Sequence, residues 1–216
     1  MRGKWIFAFC TAFIVLAATG RLMGQQVVDR IVARVENDII LRSDVKELEQ
    51  YQELIDGKSE SESEIVDRLV DQWIVRSEAD LSRFPRPSDA EVDEEVSRVV
   101  KSFHSPEEYE ARRKQSGLTE AELRKLAASQ LYLTKYLDSR FRPSVQIDEK
   151  AIEDFYQNGV VPRAKAHGQE PPTLDASREI IQEALVQNDI NEQADRWLKE
   201  SRARLHVQKF LEEGPK

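Results

Sequence analysis

The sequence predicts a mainly α-helical fold with a small β-hairpin or sheet. One third of the residues are charged (33%) and only eight are glycine, a composition that favours helices with solvated faces over a β fold with many turns. Apolar residues recur at helical spacing along several stretches, whereas the alternation typical of strands is confined to short runs. The length fits one domain, with or without a short extension.

The first 24 residues have the layout of a secretory signal peptide, in which basic residues precede an apolar run and small residues follow. The apolar run, 5–18, is shorter than the roughly 20 residues that a membrane-spanning helix needs. Cleavage near Gln25 is therefore favoured over an uncleaved anchor. Because the only cysteine, Cys10, lies inside this segment, the mature chain has no thiol for a disulfide, a metal site or a nucleophile.

The predicted mature chain is acidic. Removing the three basic residues of the signal leaves 29 basic and 40 acidic side chains, so the net charge changes from −8 to −11. This charge disfavours nucleic acid as a partner and repels anionic membrane surfaces, so we expect no stable membrane insertion. Export and the absence of thiols both suit the periplasm.

A β-hairpin is predicted directly behind the signal. Apolar and other residues alternate over 27–35, and 39–41 follows after the turn Glu36-Asn37-Asp38, in which Asn37 tolerates left-handed geometry. A two-stranded ribbon is marginally stable alone and needs a packing surface. The short run 205–207 has matching character and is predicted to add a third strand.

Capping signals predict where the helices begin. The first helix runs from a cap at Ser43 or Asp44 to Ile55. The helix over 62–84 has the broadest apolar face, which includes Trp73, and is predicted to be central. Later helices start at capping boxes, in which a hydroxyl and a carboxylate three residues on satisfy the free amides of the first turn. The four boxes are Ser61 with Glu64, Ser88 with Glu91, Ser105 with Glu108, and Thr119 with Glu122.

The C-terminal half is predicted to contain a second core helix, a linker and a long amphipathic helix. The core helix spans 119–140, and a short helix follows over 148–157. Residues 158–172 are rich in Gly, Pro and Lys and are predicted to form a linker. The last apolar stripe, 174–204, is one long helix or a pair broken near Asn188-Asp189, and it needs a partner surface to bury its apolar face.

Four segments together resemble the SurA family of periplasmic chaperones over nearly all of the mature chain. They are VVDRIVARVENDIILRSDV (27–45), RFPRPSDAEVDEEV (83–96), YLDSRFRPSVQIDEKAIEDFY (136–156) and EIIQEALVQNDINEQADRWLKESRARLHV (179–207). The resemblance implies that the C-terminal helix returns to pack with the N-terminal segment in one chaperone core. The domains would then be a signal peptide (1–24), a helical domain (25–157), a linker (158–172), and a helix with a short strand that completes the core (173–216).

Family members of this kind carry a parvulin-type prolyl isomerase domain between the two parts of the core. Even small autonomous domains need about 50 residues, whereas residues 159–172 supply only 14. Parvulin catalysis also relies on paired histidines around a Cys or Asp, and here His104, His167 and His206 are far apart in sequence. The resemblance therefore implies the chaperone core without the enzyme, and no catalytic residue is carried over.

The function that the resemblance implies is a holdase that binds unfolded outer-membrane protein segments and assists their folding or delivery, without catalysis or a cofactor. The outer-membrane assembly machinery is a further expected partner. Two alternatives stay open: an envelope adaptor whose C-terminal helix binds one folded partner, and a prolyl isomerase of the same family. The client groove is expected between the N-terminal helices and the returning C-terminal helix.

Aromatic side chains are the candidate client-binding residues, because an unfolded client exposes apolar groups that amphipathic rings contact adaptably. For each of them the alternative is a role in the core. Trp73 and Trp197 lie on apolar helical faces and are interpreted as packing residues. No histidine pair has the spacing of a helical metal site, so no metal is predicted. The client-binding candidates are Tyr109, Tyr132, Tyr136, Phe141, Phe155 and Tyr156.

Overall fold

The computed structural model of this chain describes residues 29–211, which form a helical array with one three-stranded sheet. The strands are β1 (Ile31–Val35), β2 (Asp38–Leu41) and β3 (Val207–Lys209). The α-helices are α1 (Arg42–Asp56), α2 (Glu62–Leu81), α3 (Asp89–Lys101), α4 (Pro106–Ser116), α5 (Glu120–Phe141), α6 (Glu149–Phe155), α7 (Val161–Ala166) and α8 (Leu174–Arg202). The predicted fold class is confirmed, and the predicted signal peptide lies outside the described residues.

The sheet joins the two ends of the described chain. Its strand order is β2-β1-β3 and both pairings are antiparallel, so β1 lies between its hairpin partner and the C-terminal strand. The predicted third strand is present, shifted by two residues. Because Val35 pairs with Asp38, the hairpin turn contains two residues rather than three. Glu36, with a φ of 53°, adopts the left-handed geometry that was expected of Asn37.

Helix starts follow the predicted capping boxes in most cases. The complete boxes are Ser61 with Glu64, Ser88 with Glu91, and Thr119 with Glu122. Only half of the fourth box forms: the Glu108 N–H donates to Ser105 Oγ at 3.2 Å, but the Glu108 carboxylate accepts from the His104 N–H. The predicted cap of α1 is wrong, because the helix begins at Arg42 and Asp44 in its first turn accepts from the Leu41 N–H at 2.8 Å.

The described core consists of three hydrophobic clusters that α8 helps to join. The first packs the sheet against α1 and α2, and includes Val32, Ile40, Val45, Leu48, Ile65 and Val70. The second lies among α1, α3, α4 and α5, and consists of Leu54, Val99, Tyr109, Leu118 and Leu123. The third, between α2 and α5, consists of Val75, Ala79, Tyr132, Leu133 and Tyr136. Trp197 and Leu198 of α8 pack against both the first and the third cluster.

Helix α8 is unbroken, which settles the choice that the sequence left open at Asn188-Asp189. Ile181, Ile190 and Ala194 are all buried, so the apolar stripe continues across that point and packing favours a single helix. The helix packs against α2, α5 and α6. The returning C-terminal helix therefore covers helices from the N-terminal part of the chain.

The predicted linker is helical over much of its length, which corrects the prediction for 158–172. Helix α6 continues through a π-helical turn, Tyr156–Val160, into α7. Pro162 lies in the first turn of α7 and cannot donate a backbone hydrogen bond, so the wider π-helical turn before it accommodates the proline without ending the helix. The Tyr156 hydroxyl donates to the Pro172 carbonyl at 2.8 Å and fixes the return towards α8.

An ion-pair network fastens the end of α8 to α2. Arg202 donates to Asp67 Oδ1 at 2.7 Å, to the Asp67 carbonyl at 2.6 Å and to Asp71 Oδ1 at 2.6 Å. Lys209 Nζ of β3 lies 2.7 Å from Asp67 Oδ1. Burial raises the pKa of the Asp71 carboxyl, and the bond from Arg202 opposes that rise. The bond from Arg202 thus offsets part of the desolvation cost of the Asp71 carboxylate.

Replacing the guanidinium of this network should weaken the fold. For Arg202→Gln we expect the free energy of unfolding to fall by about 1–2 kcal/mol, since hydrogen bonds to charged groups contribute about 1.5–3 kcal/mol and solvent screening reduces that figure here. Urea denaturation followed by circular dichroism measures the change. Arg196→Gln is the control, because it removes only an exposed pair with Glu192 and should cost less than about 0.5 kcal/mol. Equal losses in the two variants would contradict the prediction.

A second ionic contact links α8 to the end of α5. Arg142, in the 3₁₀ turn that follows α5, donates to the two carboxylate oxygens of Glu183 on α8 at 2.8 and 3.0 Å, and also bonds to Asp138. These bonds from Arg142 lower the pKa of Glu183 from 4.5 to about 2. The folded state therefore binds the Glu183 proton less readily than the unfolded state does.

The sign of this shift predicts how stability depends on pH. Because the folded pKa of Glu183 is depressed, its stabilising contribution is present above pH 4.5 and is lost as the pH falls from 4.5 to about 2. Glu183→Gln should lower the urea midpoint at pH 6 and flatten its decline across that window. Glu179→Gln, on an exposed position of α8 with no ion pair to another described residue, should leave the profile unchanged. An identical pH profile in wild type and Glu183→Gln would rule out this contribution.

Candidate functional site

An open cleft of about 300 Å³, which we call the β2 cleft, lies between β2 and the helices α1, α2 and α5. Its lining residues are Ile39, Ile40, Asp44, Glu47, Leu48, Leu69, Gln72, Trp73, Arg76, Lys125, Leu126 and Ser129. Helical spacing explains the α2 wall, because Leu69, Trp73 and Arg76 follow one another at steps of four and three residues, about one turn each, and so share one face.

The floor of the β2 cleft is apolar. Ile40 and Leu48 are buried and belong to the first core cluster, while Leu69 and Trp73 are half-buried against it. Ile39 stands at the edge with 48% of its surface exposed. A floor of this kind offers apolar area to a ligand without opening the core.

Trp73 has a fixed position at this site. Its indole N–H donates to Asp38 Oδ2 at 2.8 Å, which links α2 to the start of β2. Tryptophan suits a boundary between core and solvent, because its ring is apolar and its N–H needs a polar partner. The ring is therefore held in place with part of its surface facing the cleft.

The rim of the β2 cleft carries charges of both signs. Glu47 of α1 accepts from Lys125 Nζ of α5 at 2.8 and 3.0 Å. Arg76 of α2 donates to Ser129 Oγ of α5 at 2.9 Å. These bonds connect the three helices that form the walls. A rim with exposed, screened charges contributes little to stability and leaves polar groups free to rearrange around a bound ligand.

Half of the predicted client-binding residues are buried in the core, the alternative role that the sequence left open for them. Tyr109, Tyr132 and Tyr136 are only 7%, 2% and 5% exposed. The Tyr132 hydroxyl donates to Asp80 Oδ1 at 2.8 Å, and burial raises the pKa values of Tyr109 and Tyr132. Rings buried on this scale do not contact a client while the helices stay packed.

The other three predicted residues are half-buried but lie apart. Phe141 packs edge-on against Trp197, with ring centroids 6.0 Å apart, and Tyr156 bonds to Pro172. Phe155 lines a second, smaller cleft of about 280 Å³ at the π-helical turn. None of the six predicted residues lines the β2 cleft. Trp73 and Trp197 pack against the core clusters, and the face of Trp73 that reaches the cleft was not predicted.

The position of the β2 cleft also differs from the predicted groove. The prediction placed the groove between the N-terminal helices and the returning C-terminal helix, but α8 contributes no residue to the β2 cleft. The apolar face of α8 packs against α2 and α5 instead. A sequence signal for the β2 cleft was present in the apolar pair Ile39 and Ile40 together with the tryptophan on the broad face of α2.

Other kinds of site receive no support from the described part of the chain. Within residues 29–211 no group of three or more His, Cys, Asp or Glu side chains is placed to hold a metal ion. His104, His167 and His206 are exposed and lie in three different connecting segments. No helix in the same range is long and apolar enough to span a bilayer.

Comparison with protein-family models and with curated proteins found no match for this chain.

Proposed function

We propose that this protein is a periplasmic holdase that binds unfolded outer-membrane protein segments in the β2 cleft and needs no catalysis. The observation that carries the proposal is an open apolar floor with a fixed, partly exposed tryptophan and a rim of both charge signs. Such a surface accepts apolar side chains of varied shape and neighbours of either charge. The resemblance of the sequence to SurA-type chaperones supports the same function.

The size of the cleft predicts weak contacts at several points. Micromolar binding corresponds to about 8 kcal/mol, whereas fully burying one apolar side chain contributes about 1.5–3 kcal/mol. A client therefore has to place several side chains in the cleft and on its rim. Release requires no nucleotide, because each contact is weak and exchanges independently.

The test is suppression of aggregation of an unfolded outer-membrane porin by the chain from Gln25 to Lys216, which contains all described residues. A proline-peptide isomerisation assay on the same preparation accompanies it. Suppression near a stoichiometric ratio without isomerisation is the expected result. Isomerisation would favour the enzyme alternative, and failure to suppress would favour an adaptor that binds one folded partner, for which exposed Ile180 on α8 offers a contact.

A charge at the edge of the β2 cleft should weaken client binding. For Ile39→Asp we expect roughly five-fold weaker binding of the porin, since losing the burial of a half-exposed isoleucine costs about 1 kcal/mol. The matched control is Ile180→Asp, which places the same charge on an isoleucine that is 76% exposed and lies outside the cleft. Titration of labelled unfolded porin measures both affinities. Equal weakening in the two variants would place client binding elsewhere.

A further inference from the structure

Strand β2 has a free backbone edge. It forms one side of the sheet, and among the described residues only β1 pairs with it. Val35 and Asp38 flank the two-residue turn and form a hydrogen-bonded pair, so the alternation of an antiparallel ladder points the backbone groups of Ile39 away from β1. The Leu41 N–H on the same edge is already bonded to Asp44. The N–H and C=O of Ile39 have no partner among residues 29–211.

The β2 cleft runs along this free edge. Successive side chains of a strand point to opposite faces, yet both Ile39 and Ile40 line the cleft. A cavity lined by neighbouring residues of opposite faces, on an edge strand, borders the edge that β1 leaves free. An occupant of the cleft consequently meets the unpaired backbone groups of Ile39 as well as the apolar floor.

Charge complementarity further defines the occupant. Arg76 is exposed at the cleft and bonds only to the Ser129 hydroxyl, with no carboxylate partner among the described residues. Lys125, the other cation of this wall, is already paired with Glu47. The uncompensated charge on the α2 and α5 wall is therefore positive and favours an acidic group of the ligand beside Arg76, whereas the α1 side carries the Asp44 carboxylate.

We propose that the β2 cleft takes its client as an added strand on β2: an extended segment of alternating apolar side chains that exchanges hydrogen bonds with the Ile39 backbone and places an acidic side chain at Arg76. This inference rests on the proposed function, because it describes how the same cleft holds a client. Backbone pairing explains how one cleft accepts many sequences, since main-chain groups are common to all of them. The alternation of apolar and polar side chains in the client makes binding selective, because only every second side chain of an added strand faces the floor of the cleft.

The experiment uses a capped nine-residue peptide of alternating apolar and polar residues with one central Glu, and the chain from Gln25 to Lys216. Two relatives of the peptide carry N-methyl groups on alternate residues, in opposite registers, and a third has Lys in place of Glu. Binding is titrated by tryptophan fluorescence, and amide hydrogen exchange at Ile39 is followed by NMR. A fold-change in affinity between the two methylated registers reports which peptide edge meets the protein.

We expect one N-methyl register to lose at least ten-fold in affinity while the other stays within two-fold, with slowed exchange at the Ile39 amide. The Lys peptide should bind several-fold more weakly, and Arg76→Gln should remove that difference. Ile39→Lys should weaken peptide binding roughly five-fold, as expected for the loss of a half-exposed isoleucine, whereas Leu81→Lys, at an 80% exposed position outside the cleft, should leave it unchanged. Equal losses in both registers, or an unprotected Ile39 amide, would overturn strand addition.

The porin assay on the same preparation separates the two proposals. Suppression of aggregation without a register effect refutes strand addition and leaves the holdase function standing. Loss of both suppression and peptide binding refutes both.

Discussion

Ending the chain at Gly168, which removes α8 and β3, should give a fragment that aggregates or melts without cooperativity. The deletion uncovers the surfaces of α2 and α5 on which Trp197 and Leu198 pack, and it removes β3, one of the two partners of β1. Ile181 and Ile190 are 2% and 3% exposed in the intact chain. Burying each large apolar side chain contributes about 1.5–3 kcal/mol to the free energy of unfolding. The deletion should therefore lower that free energy by about 5 kcal/mol or more, which is much of the stability of a typical domain.

Differential scanning calorimetry and size-exclusion chromatography of the fragment measure this effect. A peptide spanning 169–216, added in trans, should restore a cooperative transition if the exposed surfaces cause the defect. A soluble fragment that melts as sharply as the intact chain would show that the N-terminal part folds without α8.

Local patterns in the sequence predicted most helix starts and the sheet. The capping boxes at Ser61, Ser88 and Thr119 depend only on residues within one turn, so the sequence contains all the information they need. At Ser105 the local rule failed because the neighbouring His104 N–H competes for the Glu108 carboxylate. The π-helical turn before Pro162 was not predicted, because glycine and proline together indicated a loop rather than a widened helix.

The candidate site was harder to predict because it depends on contacts between distant elements. The β2 cleft brings residues from β2, α1, α2 and α5 together, and no local pattern shows that these four elements meet. Aromatic character alone selected Tyr109 and Tyr132, since a sequence does not distinguish a tyrosine whose ring is buried from one whose ring is exposed. Trp73 was placed correctly on an apolar face, but its partial exposure depends on the bond to Asp38.

Replacing Tyr132 by alanine should lower the melting temperature strongly and leave client binding in the β2 cleft unchanged. The ring is 2% exposed, packs 5.9 Å from the Phe84 ring and lies 4.1 Å beneath the Arg86 guanidinium, while the hydroxyl bonds to Asp80. Replacing a buried aromatic residue by alanine costs about 3–5 kcal/mol. For a chain of this length that corresponds to a fall in melting temperature of about 6–20 °C.

Three measurements separate the structural role of Tyr132 from a role in binding. Tyr132→Ala should show the large fall in melting temperature. Tyr132→Phe keeps the ring and loses only the hydroxyl, which donates to Asp80 and lies within bonding distance of the Phe84 carbonyl, so it should cost about 1–2 kcal/mol. At a temperature where Tyr132→Ala is still folded, its affinity for unfolded porin should match that of the wild type, because Tyr132 lies outside the β2 cleft. A stable Tyr132→Ala protein with weakened porin binding would reverse the assignment and return this tyrosine to the client-binding surface.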